Sequence, residues 1–380
     1  MRRWIVLLIL AALAAAAWYA GLAPQDKSSA LSVSKVLGGG DTAGYARVLG
    51  PREFSFPADH GPHPDYRQEW WYYTGNLTAE DGRHFGYQLT FFRFALSAEP
   101  RLGDSAWSTS QIYMAHFALT DVTGRRFHRA ERFSRNALGL AGAHAAPFQV
   151  WLEDWSVRSD KAGVLPMHLR AAAGEVALDI QLANNKPVVL QGERGFSRKG
   201  QAEGNASYYY SLTRMPTSGT VTLGDESFSV SGASWMDREW STSALEEGQV
   251  GWDWFALQLD DGRDIMFYRL RRRDGSIDSH SSGVIIEVEG SQRLLPAAAV
   301  KFEVLDRWRS PATGTVYPAR WRVMIPTEDL VLEIEPHYAD QEMDFSLRYW
   351  EGAVKLTGRA EGRPISGHGY VELVGYDDLK

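Results

Sequence analysis

The sequence predicts an all-β protein built from two related antiparallel β domains, and three observations carry that expectation. The first is an aromatic hairpin. Glu69-Trp70-Trp71-Tyr72-Tyr73-Thr74-Gly75 leads through Asp81-Gly82-Arg83 to Tyr87-Gln88-Leu89-Thr90-Phe91-Phe92, and Asp-Gly between apolar runs is a turn signal. The second is a repeat of that pattern. Gly251-Trp252-Asp253-Trp254-Phe255 runs through Asp261-Gly262-Arg263 to Met266-Phe267-Tyr268; two copies this far apart point to related domains rather than a solenoid. The third is the rest of the chain, where short alternating runs broken by Gly and Asp turns read as barrels or sandwiches.

Taken in order, the chain opens with Met1-Arg2-Arg3 and an apolar run from Trp4 to Ala20, ended by Pro24-Gln25-Asp26-Lys27. That is the layout of an export signal, with Ala15-Ala16-Ala17 suited to cleavage. Residues 1–23 are therefore read as a signal peptide, or as an anchor holding the protein to the inner membrane through residues 4–20. The expected location is periplasmic or secreted, and membrane-proximal. Residues 24–50, rich in Ser, Gly and Ala and including Gly38-Gly39-Gly40, read as a flexible linker. A first β domain is expected over 51–243 and a second over 244–380, with the break where Ser241-Thr242-Ser243 and Glu246-Glu247-Gly248 interrupt the strands. Strands are expected at Gln111–Thr120, Phe148–Leu152, Met167–Ala171, Val176–Leu182, Ser207–Leu212 and Gly219–Leu223 in the first half. In the second they are expected at Gly283–Val288, Val300–Leu305, Arg320–Ile325, Leu330–Glu335, Ala353–Gly358 and the closing run to Tyr376.

Composition narrows the function. At 380 residues the chain is long enough for two buried cores. The aromatic share of 12%, with 14 Trp, fits strands that wall an apolar ligand pocket. A net charge of -7 argues against nucleic acid as a partner, since phosphate binding needs a basic surface. The absence of cysteine removes thiol nucleophiles, thiolate metal sites and disulfides. Gly-x-Ser-x-Gly and a strand-linked phosphate loop are absent as well.

Strand alternation sorts the candidate residues onto faces. In Ser234-Trp235-Met236-Asp237-Arg238-Glu239-Trp240, Trp235, Asp237 and Glu239 share one face, and Met236, Arg238 and Trp240 the other. A carboxyl group beside indoles is desolvated, which raises its pKa and suits it to give a proton; the alternative is an ion pair or turn cap, with the tryptophans as core. Glu69 shares its face with Trp71 and Tyr73 and needs a buried partner, for which Arg67, Arg93 and Arg238 are candidates. His116, on the face of Ile112 and Met114, is either a satisfied core histidine or a proton carrier in a cavity. His60 and His63, beside Asp59 and Asp65, are either a hydrogen-bonded loop or metal ligands.

These motifs together resemble the AttH / hydroxyneurosporene synthase (CrtC) family. The resemblance rests on Asp59-His60-Gly61-Pro62-His63, Glu69 to Gly75, the segment around His116, Trp235 to Ser241, and Trp252 to Arg263, and runs from about Phe54 to Tyr376. It implies two tandem lipocalin-like β-barrel domains enclosing an apolar hollow, with a hydrophobic, isoprenoid or lipid-like small molecule bound near the domain junction. Members include carotenoid 1,2-hydratases, hydro-lyases that add water across a C=C bond, and exported proteins labelled predicted secreted hydrolases. Such hydration needs a protonated acid, a carbocation held by aromatic faces, and water, with no cofactor. By position Asp237 is the acid, with Glu69 and His116 as further catalytic candidates. Trp71, Tyr73, Trp235, Trp240, Trp252 and Trp254 are the candidate ligand wall. Two other readings stay open: a non-catalytic carrier working with an envelope ABC transporter, and a metal-dependent hydrolase at His60 and His63.

Overall fold

Strand makes up 61% of the described residues and helix 3%, so sheets must supply the core. The computed structural model describes residues 42–99, 105–159, 163–243 and 245–376. The expected signal or anchor at 1–23 and the linker up to residue 41 lie outside the described residues. Among the described residues no helix is long and apolar enough to cross a membrane.

The first sheet has thirteen strands. They are β1 (Gln68–Ala79), β2 (His84–Ala95), β3 (Gln111–Asp121), β4 (Arg126–Arg135), β5 (Ala141–Ala145), β6 (Phe148–Leu152), β7 (Trp155–Arg158), β8 (Met167–Ala173), β9 (Val176–Leu182), β10 (Val189–Leu190), β11 (Phe196–Arg198), β12 (Ala206–Leu223) and β13 (Glu226–Ser241). The second has ten: β14 (Gln249–Leu259), β15 (Asp264–Arg272), β16 (Ser282–Ile286), β17 (Gln292–Pro296), β18 (Lys301–Arg309), β19 (Val316–Ile325), β20 (Leu330–Pro336), β21 (Glu342–Asp344), β22 (Arg348–Ala360) and β23 (Arg363–Val374). One sheet nearly closes into a barrel and the other curls into a half-barrel, so the fold is two lipocalin-like barrels in tandem.

The repeat read from the sequence is a repeat of topology. In the first sheet β1 lies between its hairpin partner β2 and the closing strand β13; in the second, β14 lies between β15 and the closing strand β23. All of these pairings are antiparallel.

Alternation then sends each strand's side chains into two different cores. Trp71, Tyr73, Leu89, Phe91 and Phe117 fill the interior of the first sheet. Phe255, Phe267, Trp321, Trp350 and Val371 fill that of the second. Residues one step along the same strands make a third cluster where the outer faces of the sheets meet: Tyr72, Tyr209 and Trp235 from the first, Trp254, Tyr268 and Tyr370 from the second. Both barrel interiors are thus packed with side chains, and the expected apolar hollow inside them is corrected by the structure. A cavity lies between the sheets instead.

Candidate functional site

That space is a cavity of about 90 Å³. Seven aromatic rings line it: Trp70, Tyr72, Phe92, Tyr209, Trp252, Trp254 and Tyr268. Three carboxyl groups, Asp237, Glu239 and Glu372, and one ammonium, Lys199, face the same space. Trp70, Phe92 and Trp252 are only partly buried, so the cavity reaches the surface past them.

Register explains how two sheets deliver matching parts. Tyr72 on β1 lies opposite Asp237 on β13, and Trp254 on β14 lies opposite Glu372 on β23. Each repeat therefore contributes an aromatic residue from its opening strand and a carboxyl group from its closing strand. The two sets meet across the cavity.

Asp237 is buried and receives neutral donors only. The Ser211 hydroxyl donates to Oδ1 at 2.5 Å and the Trp235 indole N–H to the same oxygen at 2.7 Å. The Tyr209 hydroxyl donates to Oδ2, and the Trp254 indole N–H donates to that hydroxyl at 3.1 Å. Burial raises the Asp237 pKa to about 7; the three donors pull it down and the nearby Glu239 charge adds to the rise. With Oδ1 taken by two donors, Oδ2 is the oxygen left to carry a proton. Glu372 behaves similarly. Burial raises it to about 7 against one donor, the Trp252 indole N–H at 2.7 Å, while Asp237 and Glu239 push it further up.

Glu239 has a different task. It accepts from Ser207 and pairs with the Lys199 ammonium at 3.1 Å. Burial works against the Lys199 charge, but the Glu239 carboxylate outweighs it and holds the ammonium above its ordinary pKa. Lys199 also sits 4.0 Å from the Tyr268 ring centroid, a cation–π contact. Behind the wall, the Tyr72 hydroxyl donates to Glu351, which burial and the Glu372 charge keep well above the usual carboxylate range.

Several sequence candidates lie elsewhere. Glu69 is wholly buried between the Arg93 and Arg238 guanidiniums, which overcome the cost of burial and hold its carboxyl well below the usual range. It is fixed as an anion away from the cavity and cannot donate a proton. Trp71 and Tyr73 point into the first barrel's core, and the Arg238 guanidinium stacks 3.9 Å from the Trp71 ring. Trp240 stacks on His63 at 3.7 Å. The cavity wall is formed instead by Trp70 and Tyr72, one residue out of phase. Trp235 stands behind the wall, bonded to Asp237, with its ring edge toward Trp254. Trp252 and Trp254 line the cavity. His116 is buried behind Phe92, with Nδ1 2.6 Å from the Tyr349 hydroxyl and Nε2 3.0 Å from Glu131; burial lowers its pKa. His63 bonds Asp59 at 3.0 Å and the Glu69 carboxylate, and His60 bonds the Tyr210 hydroxyl at 2.5 Å, so this loop is a hydrogen-bonded support for Glu69.

Lys199, Tyr209, Tyr268 and Glu372 were not singled out in the sequence. The signal for Glu372 is its place in the closing strand, where Glu372 and Tyr370 alternate opposite Trp254 and Ala256 of β14.

The fold and site define a class of all-β proteins, a pair of lipocalin-like barrels with an acid-lined aromatic cavity between them. Within that class, the chain belongs to the AttH-like family, matched over residues 47–376. A crystal structure described as AttH from Nitrosomonas europaea is 36% identical, with a TM-score of 0.77, covering 87% of this chain and 99% of that one. The dehydratase asqC of Emericella nidulans is 24% identical over 224 residues, 55% of this chain and 61% of its own length. Kievitone hydratase of Fusarium solani subsp. phaseoli is 24% identical over 246 residues, 62% of this chain and 68% of its own.

Proposed function

We propose that this protein is a hydro-lyase that adds water to, or removes it from, a C=C bond at the end of a hydrophobic molecule. The observation that carries the reading is the pair Asp237 and Glu372, two buried carboxyl groups with pKa values near 7 on opposite walls of one aromatic cavity. At neutral pH such a pair holds one proton to give and one carboxylate to receive. In the hydration direction the Asp237 Oδ2 proton is transferred to the alkene carbon, and the π electrons form the new C–H bond. The adjacent carbon becomes a carbocation facing the rings of Tyr72 and Trp254. Water adds to it, and its surplus proton passes to Glu372. Dehydration is the reverse, and relatives named for both directions support a shared reaction type. A cavity of about 90 Å³ has room for a few waters or a short alkenyl end, which fits a reaction at a terminus.

The test incubates isoprenoid alkenes, geranyl and farnesyl alcohols among them, in deuterated water. Wild type is expected to place deuterium on carbon. Asp237→Asn is expected to lose at least about 100-fold in rate, and Glu372→Gln a smaller factor. The rate should peak near pH 7 and fall on both sides, as Asp237 deprotonates above and Glu372 protonates below. Ligand recovered unlabelled from wild type and variants alike would favour the second reading, a carrier of hydrophobic molecules beside an envelope transporter, for which the apolar wall speaks. Export through residues 1–23 belongs to either reading and is checked by the N-terminal sequence of the mature protein.

A further inference from the structure

At the far end of the inter-sheet contact three histidines converge. His84 is the first residue of β2, His337 follows β20, and His368 is on β23. One ring nitrogen from each lies within 4.8 Å of the other two. We propose that His84, His337 and His368 bind a divalent transition-metal ion of the zinc class, and that the ion ties the first sheet to the second. His84 lies six residues along β2 from Thr90 of the cavity, about 20 Å at strand rise, so this is a separate site.

Three features of the geometry support it. Nε2 of His337 and Nδ1 of His368 are 3.3 Å apart. Two nitrogens bound at about 2.0–2.1 Å to a tetrahedral zinc are separated by about 3.3 Å, so this pair already has the spacing of two ligands. The three imidazole rings are 4.4, 5.2 and 5.5 Å apart between centroids.

The second feature is an outer support of the kind metal-binding histidines have. The Asn76 side-chain amide donates to the Gly369 carbonyl at 3.0 Å, which leaves Asn76 Oδ1 facing His84 Nε2 at 3.0 Å. That oxygen can only accept, so His84 Nε2 carries the proton and Nδ1 keeps its lone pair. One asparagine on the first sheet thus fixes the tautomer of His84 while gripping the backbone beside His368 on the second.

The third is the local charge. Lys355, opposite His368 in register, is paired with Glu335 at 2.7 Å. Neutral imidazoles select zinc, copper or nickel over magnesium or calcium, and the exposed side of His368 leaves a fourth position for water.

The experiment uses tag-free, chelator-stripped full chain and zinc chloride alone at pH 7.5. Calorimetric titration is expected to show one equivalent bound, with a rise in Tm on saturation. His368→Ala, at an exposed position, and His337→Ala should each weaken zinc binding by 100-fold or more while the circular dichroism of the fold is retained. No zinc uptake by wild type would overturn the site. So would one equivalent still bound at unchanged affinity in both variants, which would place the ion elsewhere.

Discussion

Glu69 and Asp237 show how far one residue's neighbours can reverse its chemistry. Both are carboxyl groups set among tryptophans in strands, and both are buried. Glu69 lies opposite Arg93 in register and is also reached by Arg238, so two fixed cations outweigh burial. Asp237 meets only neutral donors, and burial prevails. The consequences for stability have opposite signs. The Glu69 pKa is depressed on folding, so its contribution is complete above the ordinary 4.5 and is lost as pH falls through the folded value. The Asp237 pKa is raised, so its contribution is complete below the ordinary 3.8 and is lost as pH rises toward about 7. In urea titrations at pH 7, Glu69→Gln is expected to cost roughly 3–5 kcal/mol by leaving two guanidiniums short of their counter-charge, with the difference from wild type shrinking in acid. Asp237→Asn should gain a few kcal/mol above pH 7. A neutral Glu69→Gln at pH 7 would contradict this account of the ion-pair cluster.

At the scale of elements, the sheets meet through positions where the strands depart from regularity. Between Leu212 and Met215 the pairing of β12 with β13 shifts register, so Thr213 and Arg214 stand against one residue of the partner, a β-bulge. The bulge turns both toward the second sheet, where Thr213 donates to Asp264 at 2.9 Å and Arg214 at 2.7 Å. The Gln258 amide returns the contact to the Thr213 carbonyl at 2.7 Å. Close approach elsewhere depends on a missing side chain. A Cβ on Gly86 of β2 would lie 2.4 Å from the Cβ of Ala353 on β22. Gly86→Val is therefore expected to push the sheets apart and cost about 1–3 kcal/mol, while Gly50→Ala, with nothing within 4 Å of the added Cβ, should stay within about 0.5 kcal/mol. Equal urea midpoints for the two variants would refute the tight contact. The strands and the repeat could be read from the chain because alternation and Asp-Gly turns are local. The bulge could not, because it shows only once β12 is laid against β13.

Across the whole molecule, both sheets belong to one compact unit. Asp264 of β15, with its side chain wholly buried, is held by Lys186, Thr213 and Arg214, all from the first-sheet part of the chain. The third apolar cluster draws on both sheets, so neither half buries its outer face alone. Calorimetry should accordingly find one transition whose calorimetric and van't Hoff enthalpies agree. Asp264→Ala, which strands the buried Lys186 and the half-buried Arg214, should lower Tm by several degrees. Two resolved transitions in wild type would show that the sheets fold independently and that the shared cluster is not what couples them.

The sequence by itself determined the all-β class, the duplicated hairpin, the family, and the faces on which Asp237, Glu239, Trp252 and Trp254 lie, because side-chain alternation and turn chemistry act over a few residues. Only the tertiary structure decided which face of β1 meets the cavity between the sheets. Both faces are aromatic, and local pattern could not tell a barrel core from a contact between barrels. It also decided that Glu69 is locked by arginines, that Glu372 stands across from Asp237, and that His84, His337 and His368 come together. Desolvation and ion pairing depend on neighbours that lie far along the chain, as Arg238 is 169 residues from Glu69, and those neighbours meet only once the chain is folded.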